Sequence, residues 1–195
     1  METNQIGNLK KQVLLVFSFF AFIYLATINQ CQTLVIDSAN YLENAIVGPA
    51  SFHPHHLLYH IMLKYWAKML MGLGVENLFY ATTSINALWG AGALSVIYVI
   101  FRKRFSIDLR SSLLFLMPIA FSFGYWIVST SVNVYMTPVF FTLFMFYLYL
   151  DPNESKKKWI MIGLAHMCAI VFNQWNVFIF LAVTASVIFS KDRNI

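Results

Sequence analysis

Four of the five histidines fall between residues 37 and 64, together with two carboxylates and a lysine. Asp37 and Glu43 carry carboxylates, which can accept a proton from a hydroxyl group or bind a divalent cation. They are the candidate catalytic residues. Imidazole and ammonium groups follow at a density that favours contact with phosphate, and these candidate substrate-binding residues are His53, His55, His56, His60 and Lys64.

The same residues also have structural interpretations. Asp37 could cap a short helix by accepting backbone N–H bonds. Pro54 suits the first turn of a helix, which would place His56 and His60 four residues apart on one face. That spacing can hold a metal ion, and it is equally typical of the polar side of a helix. Asp37, His56 and His60 are therefore weak metal candidates, and dependence on a divalent ion stays open.

Composition defines the kind of protein that positions these residues. Of the 195 residues, 59% are hydrophobic and 11% are charged, against about 25% charged in an ordinary globular domain. A mean hydropathy of +0.67 excludes a soluble enzyme, a nucleic-acid binder and a disordered regulator. The net charge of +5 is typical of basic cytoplasmic loops. The sequence predicts an all-α integral membrane protein with no nucleic-acid partner.

Hydrophobic runs predict about six transmembrane helices. The last run, residues 159–189, would form a helix of about 46 Å, too long for a hydrocarbon core of about 30 Å. A polar turn at residues 173–176 divides it. The predicted spans are residues 13–28, 78–101, 112–128, 132–150, 159–172 and 177–189.

The positive-inside rule decides the topology. Residues 53–73 could form a span or an amphipathic helix on the membrane surface. If they span, residues 102–104 face outward while Lys10 and Lys11 face inward. If they lie flat outside, 11 of the 13 Lys and Arg residues are cytoplasmic, as the rule requires. We therefore expect one membrane domain over residues 1–195 in the plasma or inner membrane, with both termini cytoplasmic and an outer loop at residues 30–77.

Further polar residues are predicted at the outer ends of later spans. Asn133 and Tyr135 open the fourth span, and Asn173 and Gln174 belong to the polar turn. They are further candidate substrate-binding residues, which either line a cavity open to the outside or merely form the turns. His166 lies inside the fifth span, where an ionisable group is often functional, but a neutral imidazole could simply bond to a neighbouring helix.

Four short stretches, in this order, carry a family resemblance. They are Asp37-Ser38-x-x-Tyr41, the His-Pro segment at residues 52–59, the stretch from Tyr125-Trp126 to Asn133-Val134-Tyr135, and Phe172-Asn173-Gln174. Together they resemble the amino-terminal part of the GT-C superfamily of membrane glycosyltransferases, which includes the protein O-mannosyltransferases and related bacterial enzymes.

The resemblance implies a GT-C-like fold and a specific chemistry. The donor would be a polyprenyl-phosphate-linked sugar, transferred with inversion at the outer face of the membrane. Asp37 would be the base or the metal-contacting carboxylate. His53, His56 and Lys64 would lie near the lipid phosphate, where cations or a metal stabilise the leaving group.

Two departures from the family keep alternatives open. Asn40 and Asn133 stand where relatives often carry further acidic residues, and family members usually have several more spans. We therefore expect a partial enzyme, one that depends on a second membrane chain, or a degenerate paralogue. A non-catalytic subunit or scaffold that binds lipid or a partner chain is the main alternative. A small transporter would need a polar path through the membrane, where His166 is the sole ionisable candidate.

Overall fold

The computed structural model describes residues 2–28, 36–46 and 55–191, without the side chains of a few residues at the edges of these ranges. Within them the chain is all-helical and contains no strand, as predicted. A single-turn 3-10 helix, Gln174–Asn176, joins the last two α-helices. The α-helices are α1 (Glu2–Thr27), α2 (Ile36–Ile46), α3 (Tyr59–Gly72), α4 (Leu78–Lys103), α5 (Leu109–Ala120), α6 (Phe123–Ser129), α7 (Met136–Tyr149), α8 (Lys156–Phe172) and α9 (Val177–Lys191).

Two of the described helices are long and apolar enough to cross a membrane. They are α1, over Asn8–Thr27, and α4. A third span results if α5 and α6, which are bent by 74° relative to each other, are counted as one. At 14 residues, α7 is about 21 Å long, shorter than a core of about 30 Å. Two or three helices could therefore span a membrane, and the six predicted spans stay a prediction.

The span predicted over residues 112–128 is broken by the bend between α5 and α6. Pro118 lies in the last turn of α5, where its ring removes a backbone donor and disfavours continuation. The hydroxyl of Ser122 then accepts the N–H of Tyr125 at 3.4 Å and starts α6. Both signals are local, so the sequence itself encodes this break.

The central helix of the bundle is α4, which contacts α1, α2, α3, α5, α6 and α7. Its small residues permit close approach of the neighbouring helices. A Cβ atom added to Gly90 would lie 2.5 Å from Ser129 Oγ. The hydroxyl of Tyr125 donates to the Gly90 carbonyl at 2.7 Å. This glycine therefore brings α6 directly against the backbone of α4.

Long-range contacts fix the helix directions. The hydroxyl of Tyr98 donates to Gln12 Oε1 at 2.8 Å, so α4 runs antiparallel to α1. Trp89 packs on Phe140 with ring centroids 4.9 Å apart, and Arg104 pairs with Asp151. These contacts make α7 parallel to α4, and α8 then returns in the opposite direction.

The bundle therefore has two chemically different ends. We call the first the charged end, and it holds Lys10, residues 102–104, Asp151, Glu154 and residues 156–158. We call the second the polar end, and it is formed by α2, α3, residues 130–135 and the 3-10 turn.

Helix α3 lies within the segment 53–73 predicted to be amphipathic, and one of its faces is buried. Tyr59, Leu63 and Ala67 are buried at a spacing of four residues, while Tyr65 and Met69 on other faces are exposed. The α3 side chains that face α4 include an indole: Nε1 of Trp66 donates to Ser84 Oγ at 2.9 Å.

The predicted start of this helix near Pro54 is wrong. Residues 55–58 form a turn, and the helix begins at Tyr59. The N–H of Leu58 donates to the Val171 carbonyl at 3.4 Å, and the N–H of Gln174 donates to the His55 carbonyl at 3.3 Å. Because these backbone groups bond to a distant segment, His56 does not share a helical face with His60.

Candidate functional site at the polar end

A cluster of aromatic and imidazole rings forms the centre of the polar end. The ring of Tyr41 meets those of His56, Tyr59 and His60 edge to face, with centroids 6.2, 5.3 and 5.3 Å away. We call these four residues the Tyr41 cluster. Tyr59 and His60 are buried, whereas Tyr41 and His56 are half-buried. The structure therefore brings together two of the histidines predicted to bind substrate and the tyrosine of the Asp-Ser-x-x-Tyr stretch.

Helix α2 positions Tyr41 through an anchor one turn earlier in the helix. The hydroxyl of Ser38 donates to the Val132 carbonyl at 2.6 Å and is buried. Ala45, on the same helix, is buried in the apolar cluster that also contains Tyr59 and Val132. The first and third stretches of the resemblance are thus in direct contact.

The hydroxyl of Tyr59, one of the four residues of the Tyr41 cluster, lies near the Asn86 side chain and the Asn133 backbone. Burial raises the pKa of Tyr59 above its ordinary value, because a phenolate would lose its hydration. Tyr59 therefore stays a neutral phenol at physiological pH, and its buried hydroxyl has no hydrogen-bond partner among the described residues. Its role here is to shape the cluster rather than to act as a base.

Residues 55–56 pair with the polar turn, although more than 110 residues separate them in sequence. The amide of Gln174 donates to His55 Nδ1. Nδ1 of His56 lies 3.4 Å from the Phe172 carbonyl, and since a carbonyl only accepts, this imidazole nitrogen carries the proton. Both His55 and Gln174 are exposed. The second and fourth stretches of the resemblance therefore form one surface.

Asn133 and Asn173 build the loops rather than present their amides. Nδ2 of Asn133 donates to the Val128 and Ser131 carbonyls at 2.6 and 3.0 Å. Oδ1 of Asn173 accepts the Trp175 N–H at 3.2 Å. Both side chains are buried, so the turn-forming interpretation is confirmed for these two. Tyr135, by contrast, is 52% exposed.

Asn86 is a site residue that the sequence analysis missed. It is fully buried in α4, and its Nδ2 donates to the Ser131 and Asn133 carbonyls at 2.8 and 2.9 Å. A signal was available, since Asn86 is the single asparagine in the hydrophobic run 78–101. A polar side chain inside such a run needs a hydrogen-bond partner, and here it holds the loop that contacts α2.

Two of the remaining candidate residues lie partly or wholly outside the described part of the structure. Asp37 lies in the first turn of α2, but its side chain is outside the described part of the structure, as is the whole of His53. Glu43 is exposed on α2, and Lys64 is half-buried on α3. Within the described ranges, no group of three His, Cys, Asp or Glu side chains could hold a metal ion.

His166 has a structural partner. Its Nε2 lies 2.9 Å from the Asn176 carbonyl, and its ring stacks on Phe180 with centroids 6.0 Å apart. The carbonyl requires that Nε2 carries a proton. The imidazole is therefore bonded to a neighbouring segment, as the structural interpretation predicted.

No protein-family model, curated protein or solved structure is significantly similar to this chain. The polar end must therefore be interpreted from its own residues. These residues form a surface of two exposed groups, His55 and Gln174, beside a half-buried ring cluster. Such a surface could hydrogen-bond a phosphate or a hydroxyl-rich group.

Proposed function

We propose that the chain is a multi-pass membrane protein with its charged end in the cytoplasm and its polar end outside. Six spans formed by α1, α4, α5 with α6, α7, α8 and α9 account for the helix directions. The location of residues 102–104 and 156–158 at one end supports this topology, because basic loops are retained in the cytoplasm. In this arrangement α2 and α3 lie at the outer surface.

The proposed activity is transfer of a sugar from a polyprenyl-phosphate donor to an acceptor at the outer surface, by a GT-C-like protein. The observation that carries it is the meeting of four sequence stretches at the polar end. Ser38 contacts residue 132, Tyr41 contacts His56 and His60, and His55 contacts Gln174. Stretches this far apart in sequence assemble on one surface, as a shared binding site requires.

The proposed chemistry uses the candidate residues that the sequence indicates. The carboxylate of Asp37 accepts the proton of the acceptor hydroxyl, whose oxygen forms a bond to the anomeric carbon. The bond from that carbon to the phosphate oxygen breaks, and the phosphate leaves with the electron pair. His53, His56 and Lys64 stabilise the charge on the departing phosphate, with His55 and Gln174 as further donors. A divalent cation would assist the same step.

The test is sugar transfer in membranes that contain this chain, using a panel of labelled polyprenyl-phosphate sugars. We expect Asp37→Asn to lower the rate about 10²–10⁴-fold, the usual worth of a positioned general base. Asp108→Asn is the matched control, because Asp108 caps α5 near the charged end by accepting the Arg110 and Ser111 N–H groups. Asparagine caps a helix equally well, so this variant should keep the wild-type rate. Equal rates for wild type and Asp37→Asn would contradict the proposal.

A non-catalytic subunit of the same fold is the second candidate. It is favoured by the amide of Asn133 and the side-chain oxygen of Asn173, which are committed to loop bonds. Such a subunit would bind lipid or a partner chain without turnover. A stable partner recovered in mild detergent, together with no transfer by folded and abundant protein, would establish it.

A further inference from the structure

A long apolar groove runs along α4, with walls formed by α1 and α7. Its floor extends from Ile85 to Val99, and its volume is about 700 Å³. At 1.5 Å per residue this floor is about 21 Å long. Since α1 and α4 are the two long helices that could span a membrane, the groove would open directly onto hydrocarbon.

The lining differs between the two ends of the groove. At the charged end it includes Lys10, beside Val99 and Tyr147, and Lys10 is the one charged residue of the described lining. Toward the polar end the walls are apolar and aromatic. There the indole N–H of Trp66 is already bonded to Ser84. The groove thus matches an amphipathic molecule with a long apolar chain and a negative group at Lys10.

The shape and the lining of the groove suit a hydrocarbon chain, because the groove is long, apolar and open between α1 and α7. A single hydrocarbon chain can enter the groove and contact the side chains of Trp89 and Phe140, which line it.

The charge at Lys10 is available for a ligand. Lys10 is exposed, and it forms no ion pair with any described residue. By contrast, Lys158 at the same end is paired with Glu154 at 2.8 Å. An ammonium group at the mouth of an apolar groove favours an anionic headgroup over a zwitterionic one.

We propose that this groove binds one hydrocarbon chain of an anionic phospholipid, whose headgroup contacts Lys10. The proposal rests on the membrane location proposed above, but it requires neither sugar transfer nor Asp37. It places the headgroup of a structural lipid at the charged end, whereas the Tyr41 cluster lies at the polar end.

Two adjacent pairs of exposed residues allow a matched test. Lys10 lines the groove and Lys11 does not; Leu14 lines it and Leu15 does not, and these leucines are 64% and 68% exposed. The measurement is the number of lipids retained in native mass spectrometry, for phosphatidylglycerol and for phosphatidylcholine with identical chains. The purified chain is titrated with each lipid in a nonionic detergent.

We expect wild type to retain one phosphatidylglycerol in preference to phosphatidylcholine. Lys10→Gln should lower that preference about fivefold, the worth of one lysine at an anionic surface, while Lys11→Gln should keep it. Leu14→Trp should weaken binding of both lipids by occupying the mouth of the groove, and Leu15→Trp should not. All four side chains are exposed, so the variants should fold.

Three results would overturn the proposal. Equal losses from Lys10→Gln and Lys11→Gln would indicate a diffuse basic surface. Equal binding by the two tryptophan variants would mean that the chain does not enter the groove. A dimer that Leu14→Trp alone dissociates would show that a second copy covers this face. Sugar transfer is measured separately, so its loss with intact lipid preference would count against that activity alone.

Discussion

The two ends of the bundle are stabilised by different interactions. At the charged end, Arg104 pairs with Asp151 at 2.6 Å and stacks over Tyr147, and Lys158 bonds to Glu154. At the polar end the described cross-links are neutral: Ser38 bonds to residue 132, and Asn86 bonds to residues 131 and 133.

This difference predicts which end of the bundle tolerates single substitutions and which end is destabilised by them. The carboxylates of these ion pairs, Asp151 and Glu154, are accessible to water, which can replace part of the interaction at small cost. Buried amides that satisfy loop carbonyls are costly to remove, because the carbonyls are then left unbonded. The end that carries the candidate site should therefore be the end most sensitive to single substitutions.

Replacing Asn86 should produce the largest loss of stability. Asn86→Leu keeps the branching of the side chain but leaves the buried Asn133 carbonyl without its donor and removes one of the two donors to the Ser131 carbonyl. At about 1–3 kcal/mol for an unsatisfied buried group, we expect the free energy of unfolding to fall by about 1–3 kcal/mol. Denaturant unfolding in a nonionic detergent, followed by circular dichroism, measures it.

Asn153→Leu is the control for this substitution at the charged end. Asn153 is exposed, so its replacement should change the free energy of unfolding by no more than about 0.5 kcal/mol. Similar losses for the two variants would show that the ends do not differ in the way described.

Two glycines offer a second comparison, with effects of opposite sign. Gly90→Ala places a methyl group 2.5 Å from Ser129 Oγ and 3.0 Å from its Cβ. We expect a net loss of about 1–2 kcal/mol from overpacking. No atom lies within 4 Å of the corresponding position at Gly163. Gly163→Ala should therefore stabilise α8 by about 0.5–1 kcal/mol. The same unfolding assay applies, and losses in both variants would argue against the close contact between α4 and α6.

Local signals in the sequence were sufficient for the main helices. The hydrophobic run 78–101, followed by basic residues 102–104, predicted α4 nearly to its ends. The break between α5 and α6 was also readable from Pro118 and Ser122, but the hydrophobic run concealed it.

The arrangement of the site depends on contacts that local patterns do not contain. The start of α3 is set by backbone bonds from residues 55 and 58 to residues 171 and 174. The four-residue spacing of His56 and His60 in the sequence therefore could not show that His56 lies outside the helix. The roles of Asn133 and Asn173 likewise follow from which carbonyls and N–H groups surround them after the loops close. The residue type predicted that these amides form hydrogen bonds, and only the folded structure shows that the partners belong to the loops themselves.

Acid should weaken the charged end by a small but specific amount. The backbone N–H of Asn153, and then Arg104, hold the pKa of Asp151 below its ordinary value, and Lys158 does the same for the pKa of Glu154. A lowered pKa in the folded state stabilises the fold above the unfolded values of about 3.9 and 4.3. That contribution is lost as the pH falls through the lower folded values.

Between about pH 5 and pH 3 we therefore expect the thermal midpoint of wild type to fall further than that of Asp151→Asn/Glu154→Gln. The polar end provides the contrast, because Asn86 does not titrate. Asn86→Leu should lower the midpoint by the same amount at both pH values. A pH dependence that the double variant retains in full would place the acid-sensitive groups elsewhere, and the ion pairs of the charged end would then contribute nothing measurable to stability.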